Sequence, residues 1–121
     1  MTDMLYYYIK KERSIIMENR IKALRKKSGF TQDQISKFLD VDQSMIAKIE
    51  KGERNLTTVQ LNKLANLFAC SEEYILGYES KDNPMELAFR IDDPDVDTMQ
   101  VISSINKVAA NINFLNMILG E

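Results

Sequence analysis

Histidine and tryptophan are absent from this sequence, and cysteine occurs once, as Cys70. With no imidazole and a single thiol, the usual transition-metal sites and His-based catalytic triads have almost nothing to be built from. That argues against an enzyme and against a metal centre. One cysteine also excludes an intramolecular disulfide and suits a reducing compartment. It sits between Ala69 and Ser71 at the end of an apolar helical pattern and reads as a small core residue. Glycine and proline are scarce, at four and two, which favours helices over a turn-rich β-fold. No apolar run approaches the ~20 residues of a membrane span. The opening MTDMLYYYIKKER lacks the charged start and apolar centre of a secretory signal. The expectation is a cytoplasmic chain with no membrane partner and no cofactor.

What is present suits one compact domain with an appendage. The 121 residues are 45% hydrophobic and 28% charged, a globular balance. The net charge of −2 conceals an asymmetry. Residues 17–63 hold ten Lys/Arg against six Asp/Glu, whereas residues 64–121 hold three against ten. Charges act over about one Debye length, ~8–10 Å, so a basic face can attract polyanions while a distant acidic tail does something else.

Residues 1–16 leave two readings open: a leader read from an upstream start codon, disordered in the product, or an ordered N-terminal extension. From Glu18 to Lys27, Ile21 and Leu24 mark a narrow apolar face on a basic helix, ended by Ser28-Gly29. Thr31 and Gln34 form a capping box for a second helix with Ile35, Phe38 and Leu39 inward. Asp40-Val41 makes a tight turn. Asp42 is expected to cap a third helix, which runs to about Lys51 and stops at Gly52. Thr57 and Gln60 form another capping box before a fourth helix carrying Leu61, Leu64, Ala65 and Phe68. Ser71 caps a short fifth, EEYIL, closed by Gly77. Residues 17–77 thus read as an all-α domain of five short helices. The polar, acidic stretch 78–94, which contains both prolines, reads as a linker, with MELAF a candidate to rest on the domain.

Helical periodicity returns in residues 95–121. Val101, Ile105, Val108, Ile112, Leu115 and Leu119 form an a/d-like seam, widened by Ile102, Phe114, Met117 and Ile118. The acidic DPDVD at its start fits a helix N-terminus. A calcium loop needs glycine sixth and glutamate twelfth, where Thr98 and Ser104 stand.

Helix two, the tight turn and helix three have the length and core pattern of a helix-turn-helix. Ser36 is small where the helices approach, Val41 plugs the turn, and Ile46 and Ile49 bury the third helix. Gln43, Ser44 and the outward Lys48 are left free for a major groove. Glutamine offers donor and acceptor to an adenine edge, serine serves either way, and lysine suits guanine or phosphate. Glu50 reads as structural, paired with a basic residue such as Arg25.

The stretch NRIKALRKKSGFTQDQISKFLDVDQSMIAKIEKGERNLTTVQLNKLANLFACSEEYILG resembles the Xre/Cro-type helix-turn-helix family, which includes the lambda-type phage repressors. The shared pattern is R-x-x-x-G-x-T-Q, the turn, then S-x-I-x-x-I-E-x-G, over about half the chain. The resemblance implies a five-helix, lambda-repressor-like DNA-binding domain, usually a dimer on a palindromic operator, followed here by the C-terminal amphipathic helix. By position it assigns Thr31 and Gln32 to the DNA-binding set, with Gln32 on the phosphate backbone. Gln43, Ser44 and Lys48 fall to base edges, and Lys51, Arg54 and Asn55 to phosphates beyond helix three. Asp40 stands where the family often has glycine, and Asp42 where it often has serine or threonine. Aspartate tolerates the left-handed backbone that such a turn needs. The charges of Asp42 and Asp33 oppose non-specific binding.

Three readings of the seam remain: pairing with a second copy in a homodimer, packing on its own domain, or receiving another protein. LAFRIDDPDVDTMQVISSINKV is weakly similar to tails of regulators encoded beside metallopeptidases or toxins. It therefore implies a toxin or peptidase as the alternative partner. The expected function is a dimeric repressor. The alternative is an antitoxin or immunity-type interaction protein that binds DNA for autoregulation.

Overall fold

Nothing between residues 2 and 28 interrupts a helix: no proline or glycine occurs until Gly29. In the computed structural model, which describes residues 2–78 and 93–120, α1 accordingly runs unbroken from Thr2 to Ser28. The helix expected from Glu18 therefore starts far upstream. Its early turns are supported locally by i,i+4 pairs, with Lys10 over the Tyr6 ring and Lys11 over the Tyr7 ring, each 6.0 Å from the centroid. Only from Met17 onward does α1 reach the core, through Met17, Ile21 and Leu24. Met4, Leu5, Tyr6, Tyr7, Tyr8, Ile9 and Ile15 stand exposed.

Four short helices follow: α2 (Gln32–Leu39), α3 (Gln43–Glu50), α4 (Thr58–Phe68) and α5 (Glu72–Ile75). Both capping boxes form, Thr31 with Gln34 and Thr57 with Gln60. Asp42 departs from expectation. It takes the extended N-cap backbone, but its side chain makes no capping hydrogen bond. Its main-chain carbonyl accepts the Met45 amide at 2.9 Å instead, which removes the donor a capping carboxylate would have used. Five helices end alike. An N–H reaches back five residues past a left-handed position, as in Phe30 to Arg25 O, Val41 to Ser36 O and Cys70 to Ala65 O. Asp40 supplies the left-handed residue between α2 and α3, with φ 57° and ψ 49°.

The core gathers Ile21, Leu24, Phe30, Ile35, Phe38, Leu39, Ile46, Ile49, Leu61, Leu64, Leu67, Phe68 and Ile75. Cys70 is half-buried against it, and burial pushes its thiol pKa up to about 12, so it is not a thiolate near neutrality. Arg20 ties α1 to α5. Its guanidinium lies 4.2 Å from the Tyr74 ring centre and donates to the main-chain oxygens of Tyr74 and Tyr78.

α6 spans Val96–Leu119. Asp95 caps it, and hydrogen bonds from the Thr98 hydroxyl and amide hold its carboxyl below the usual range. The first turns do not stand apart: Met99 and Ile102 are buried with the core, and α6 packs chiefly on α4 and also on α2. Asn106 adds a hydrogen bond to Leu67 O at 3.2 Å. All six seam residues remain exposed. Residues 79–92 of the expected linker, MELAF included, lie outside the described residues. Among the described residues, no helix is long and apolar enough to cross a membrane.

Met99 is fully buried, so Met99→Ala is expected to destabilise by about 2–5 kcal/mol. Urea unfolding measures this. An unchanged midpoint would mean that α6 does not belong to the cooperative unit.

Candidate nucleic-acid interface

α3 is an eight-residue helix with two unlike sides. Ile46 and Ile49 are 2% and 1% exposed and pin its back to the core. Ser44, Lys48 and Lys51 recur at four- and three-residue spacing on the opposite stripe, and all three are exposed. Gln43, at the first helical position, is exposed as well. The outer face of α3 therefore presents an amide and a hydroxyl at its start and the ammonium groups of Lys48 and Lys51 towards its end, all four residues exposed among the described residues. No acidic residue lies in its first turn, so only Asp42 opposes the positive end of the helix dipole.

The orientation of α3 is held by one buried carboxylate. Glu50 Oε2 accepts from Arg25 Nε at 2.9 Å, and Oε1 accepts from Arg25 Nη2 at 3.0 Å. Arg25 also donates to Phe30 O at 3.1 Å, and Gln32 Nε2 reaches Glu50 Oε1 at 3.4 Å. Three helices thus meet on one side chain that is only 4% exposed. The pairing of Glu50 with Arg25 expected from the sequence is present. The contact to Gln32 is new. It makes the residue assigned to the phosphate backbone half-buried and fixed against the end of α3.

The other assigned residues are less closely gathered. Thr31 is exposed, and its hydroxyl is engaged in the capping box. Lys51 and Arg54 are exposed in the turn leaving α3. Gly52, at φ +79°, makes that turn with the Glu18 carboxylate packed where a β-carbon would lie. Asn55 is also exposed, but it lines a groove of about 380 Å³ beside the early turns of α1, with Tyr6, Ile9 and Lys10. Sequence reasoning gave Lys10 no role, because only the long α1 brings it near this loop. Asp33, a charge that opposes DNA, is offset in part by Lys37 at 3.1 Å. Among the described residues, no group of His, Cys, Asp or Glu is placed to hold a metal ion.

Removing the Glu50 carboxylate would strand the largely buried Arg25. Glu50→Ala is therefore expected to cost about 3 kcal/mol or more in thermal or urea unfolding. Loss of less than about 1 kcal/mol would show that the pair is solvated rather than buried.

Comparison with known proteins agrees with this geometry. A helix-turn-helix family model matches residues 21–75. Over 70 residues the chain is 34% identical to the HTH-type transcriptional regulator ImmR of Bacillus subtilis strain 168, covering 56% of this chain and 55% of that protein. Over 64 residues it is 36% identical to a competence pilus inhibition repressor of Acinetobacter baylyi, covering 52% of this chain and 58% of the relative. The matches thus span little more than half the length of either protein. No solved structure matches significantly. With the α2–turn–α3 unit folded as described, residues 21–75 form a helix-turn-helix domain of the Xre/Cro-like type.

Proposed function

We propose that this protein is a sequence-specific, cytoplasmic DNA-binding repressor that acts as a homodimer on a palindromic operator and excludes polymerase from the promoter. The observation that carries the proposal is the two-sidedness of α3: a back locked by Ile46, Ile49 and Glu50, and a front of Gln43, Ser44 and Lys48 open to a major groove. The relatives named as a transcriptional regulator and a repressor support the same reading. Lys51, Arg54 and Asn55 serve phosphates beyond the groove, and Thr31 and Gln32 serve them at the start of α2.

The dimer is assigned to α6. Val101, Ile105, Val108, Ile112, Leu115 and Leu119 form one exposed stripe on a helix whose first half is anchored by Met99, Ile102 and Asn106. Their a/d spacing suits an identical helix. Two-fold pairing would set two copies of α3 about one DNA turn, ~34 Å, apart. A second reading has its own observation. Phe114, Met117 and Ile118 are exposed outside the stripe, so the end of α6 is apolar on more than one side. That is the surface an antitoxin-type protein would bury in a toxin or peptidase partner, with DNA binding left for autoregulation.

Selection of bound duplexes from a random pool, using the full chain, tests the proposal. Enrichment of a symmetric sequence is expected, and recovery of no common sequence would defeat it. On the selected site, Gln43→Ala should cost about 1–3 kcal/mol and relax base choice. Lys51→Ala should weaken selected and random DNA alike and lower the salt slope by about one unit. Equal losses from both variants on both DNAs would count against the assigned roles. Replacing Ile105 and Ile112 together by aspartate should give a monomer by sedimentation. A persisting dimer would move the interface elsewhere.

A further inference from the structure

Gln34 does two jobs with one amide. Its oxygen accepts the Thr31 N–H at 2.9 Å and completes the cap of α2. Its nitrogen donates to Asp93 Oδ1 at 3.0 Å and to the Pro94 carbonyl at 3.2 Å. Those acceptors lie immediately before Asp95, the N-cap of α6. Pro94 is buried, and Asp93 holds a left-handed backbone, φ 50°, a conformation aspartate tolerates better than most residues. One side chain therefore joins the DNA-facing start of α2 to the base of the helix assigned to dimerisation.

A capping box accepts glutamine or glutamate equally, but only the amide can donate to a carboxylate and a carbonyl. A glutamate side chain here would keep the cap, lose both donations and face Asp93 with like charge.

We infer that Gln34 is a positioning residue: by clamping Asp93 and Pro94 to the start of α2, it sets the angle between α6 and the recognition unit, and with it the half-site spacing that the dimer accepts. This rests on the dimeric reading above. Met99 and Ile102 hold the base of α6 by apolar contacts, which are not directional, and Asn106 ties its middle to α4 with one hydrogen bond, to Leu67 O. Hydrogen bonds are directional and fix an axis. Leverage makes the angle consequential. Ile112 lies about 24 Å along α6 from Val96 at 1.5 Å per residue. A tilt of about 10° at the base moves that part of the seam by about 4 Å, comparable to one base-pair step of about 3.4 Å.

The test uses the full chain and the duplex selected above, with its half-sites moved apart or together by one base pair, plus a duplex carrying one half-site. Wild type should lose about tenfold in affinity per base-pair displacement. Gln34→Glu should bind the single half-site within about twofold of wild type, because the cap survives, yet lose no more than about threefold on displacement. Adding Asp93→Asn, whose amide can donate to the carboxylate introduced at position 34, should restore the tenfold preference. Asp93→Gly alone removes the exposed acceptor and suits the left-handed backbone. It should flatten the spacing preference without unfolding the core, and it carries the test should Gln34→Glu fail to fold. Unchanged spacing preference in Asp93→Gly or Gln34→Glu would overturn the inference while leaving the DNA-binding reading intact. So would a Gln34→Glu loss confined to the half-site. A wild type that selects no duplex would overturn both.

Discussion

The Glu50 carboxylate is the constraint on which the exposed face of α3 depends. A charge this buried is tolerated only where nearly every lone pair is engaged and a counter-charge is in contact. Arg25 meets both conditions from α1, and Gln32 adds a contact from α2. Because a guanidinium fork fits a carboxylate in one plane, the pair fixes α3 rotationally as well as in position. Ile46 and Ile49 alone would hold the helix down but leave it freer to roll. The front of α3 can remain uncovered because its back is fixed.

Two helices reach beyond the domain that this pair organises. α1 carries its tyrosine-rich early turns outward from Met17, and α6 carries its seam outward from Ile102. Each is anchored towards one end by core residues and carries exposed apolar side chains further out. Extended helices of this kind are not stabilised by their own burial. On α6 this exposed apolar surface is what the proposed dimer would cover. The hydrogen bonds of Gln34 give α6 a direct mechanical connection to the start of α2.

Much of the core and of the assigned site could be read from residue pattern. Ile21, Leu24, Ile35, Phe38, Leu39, Ile46, Ile49, Leu61, Leu64, Ala65 and Phe68 are all buried as their spacing required. Both capping boxes and the left-handed Asp40 follow from local chemistry. Gln43, Ser44 and Lys48 face outward because Ile46 and Ile49 face in. The misses have equally local causes. Phe30, buried, and Leu56, partly buried against the core, immediately precede the capping residues Thr31 and Thr57, where no helical period marks an inward residue. The Asp42 side chain yields its capping role to its own carbonyl. The start of α1 is hard to place because tyrosines and isoleucine are modest helix formers, while the absence of any breaker decides the outcome.

The sequence by itself determined which residues turn inward, where the short helices begin and end, and which side of α3 is polar. Those properties come from interactions a few residues apart, and spacing records them directly. Only the tertiary structure decided that Ile102, read as widening the seam, packs with Met99 in the core, that Gln32 leans on Glu50, and that Gln34 reaches Asp93. These are contacts across 18 or more positions. Their partners are chosen by how the helices stack, and no periodicity along the chain encodes that choice.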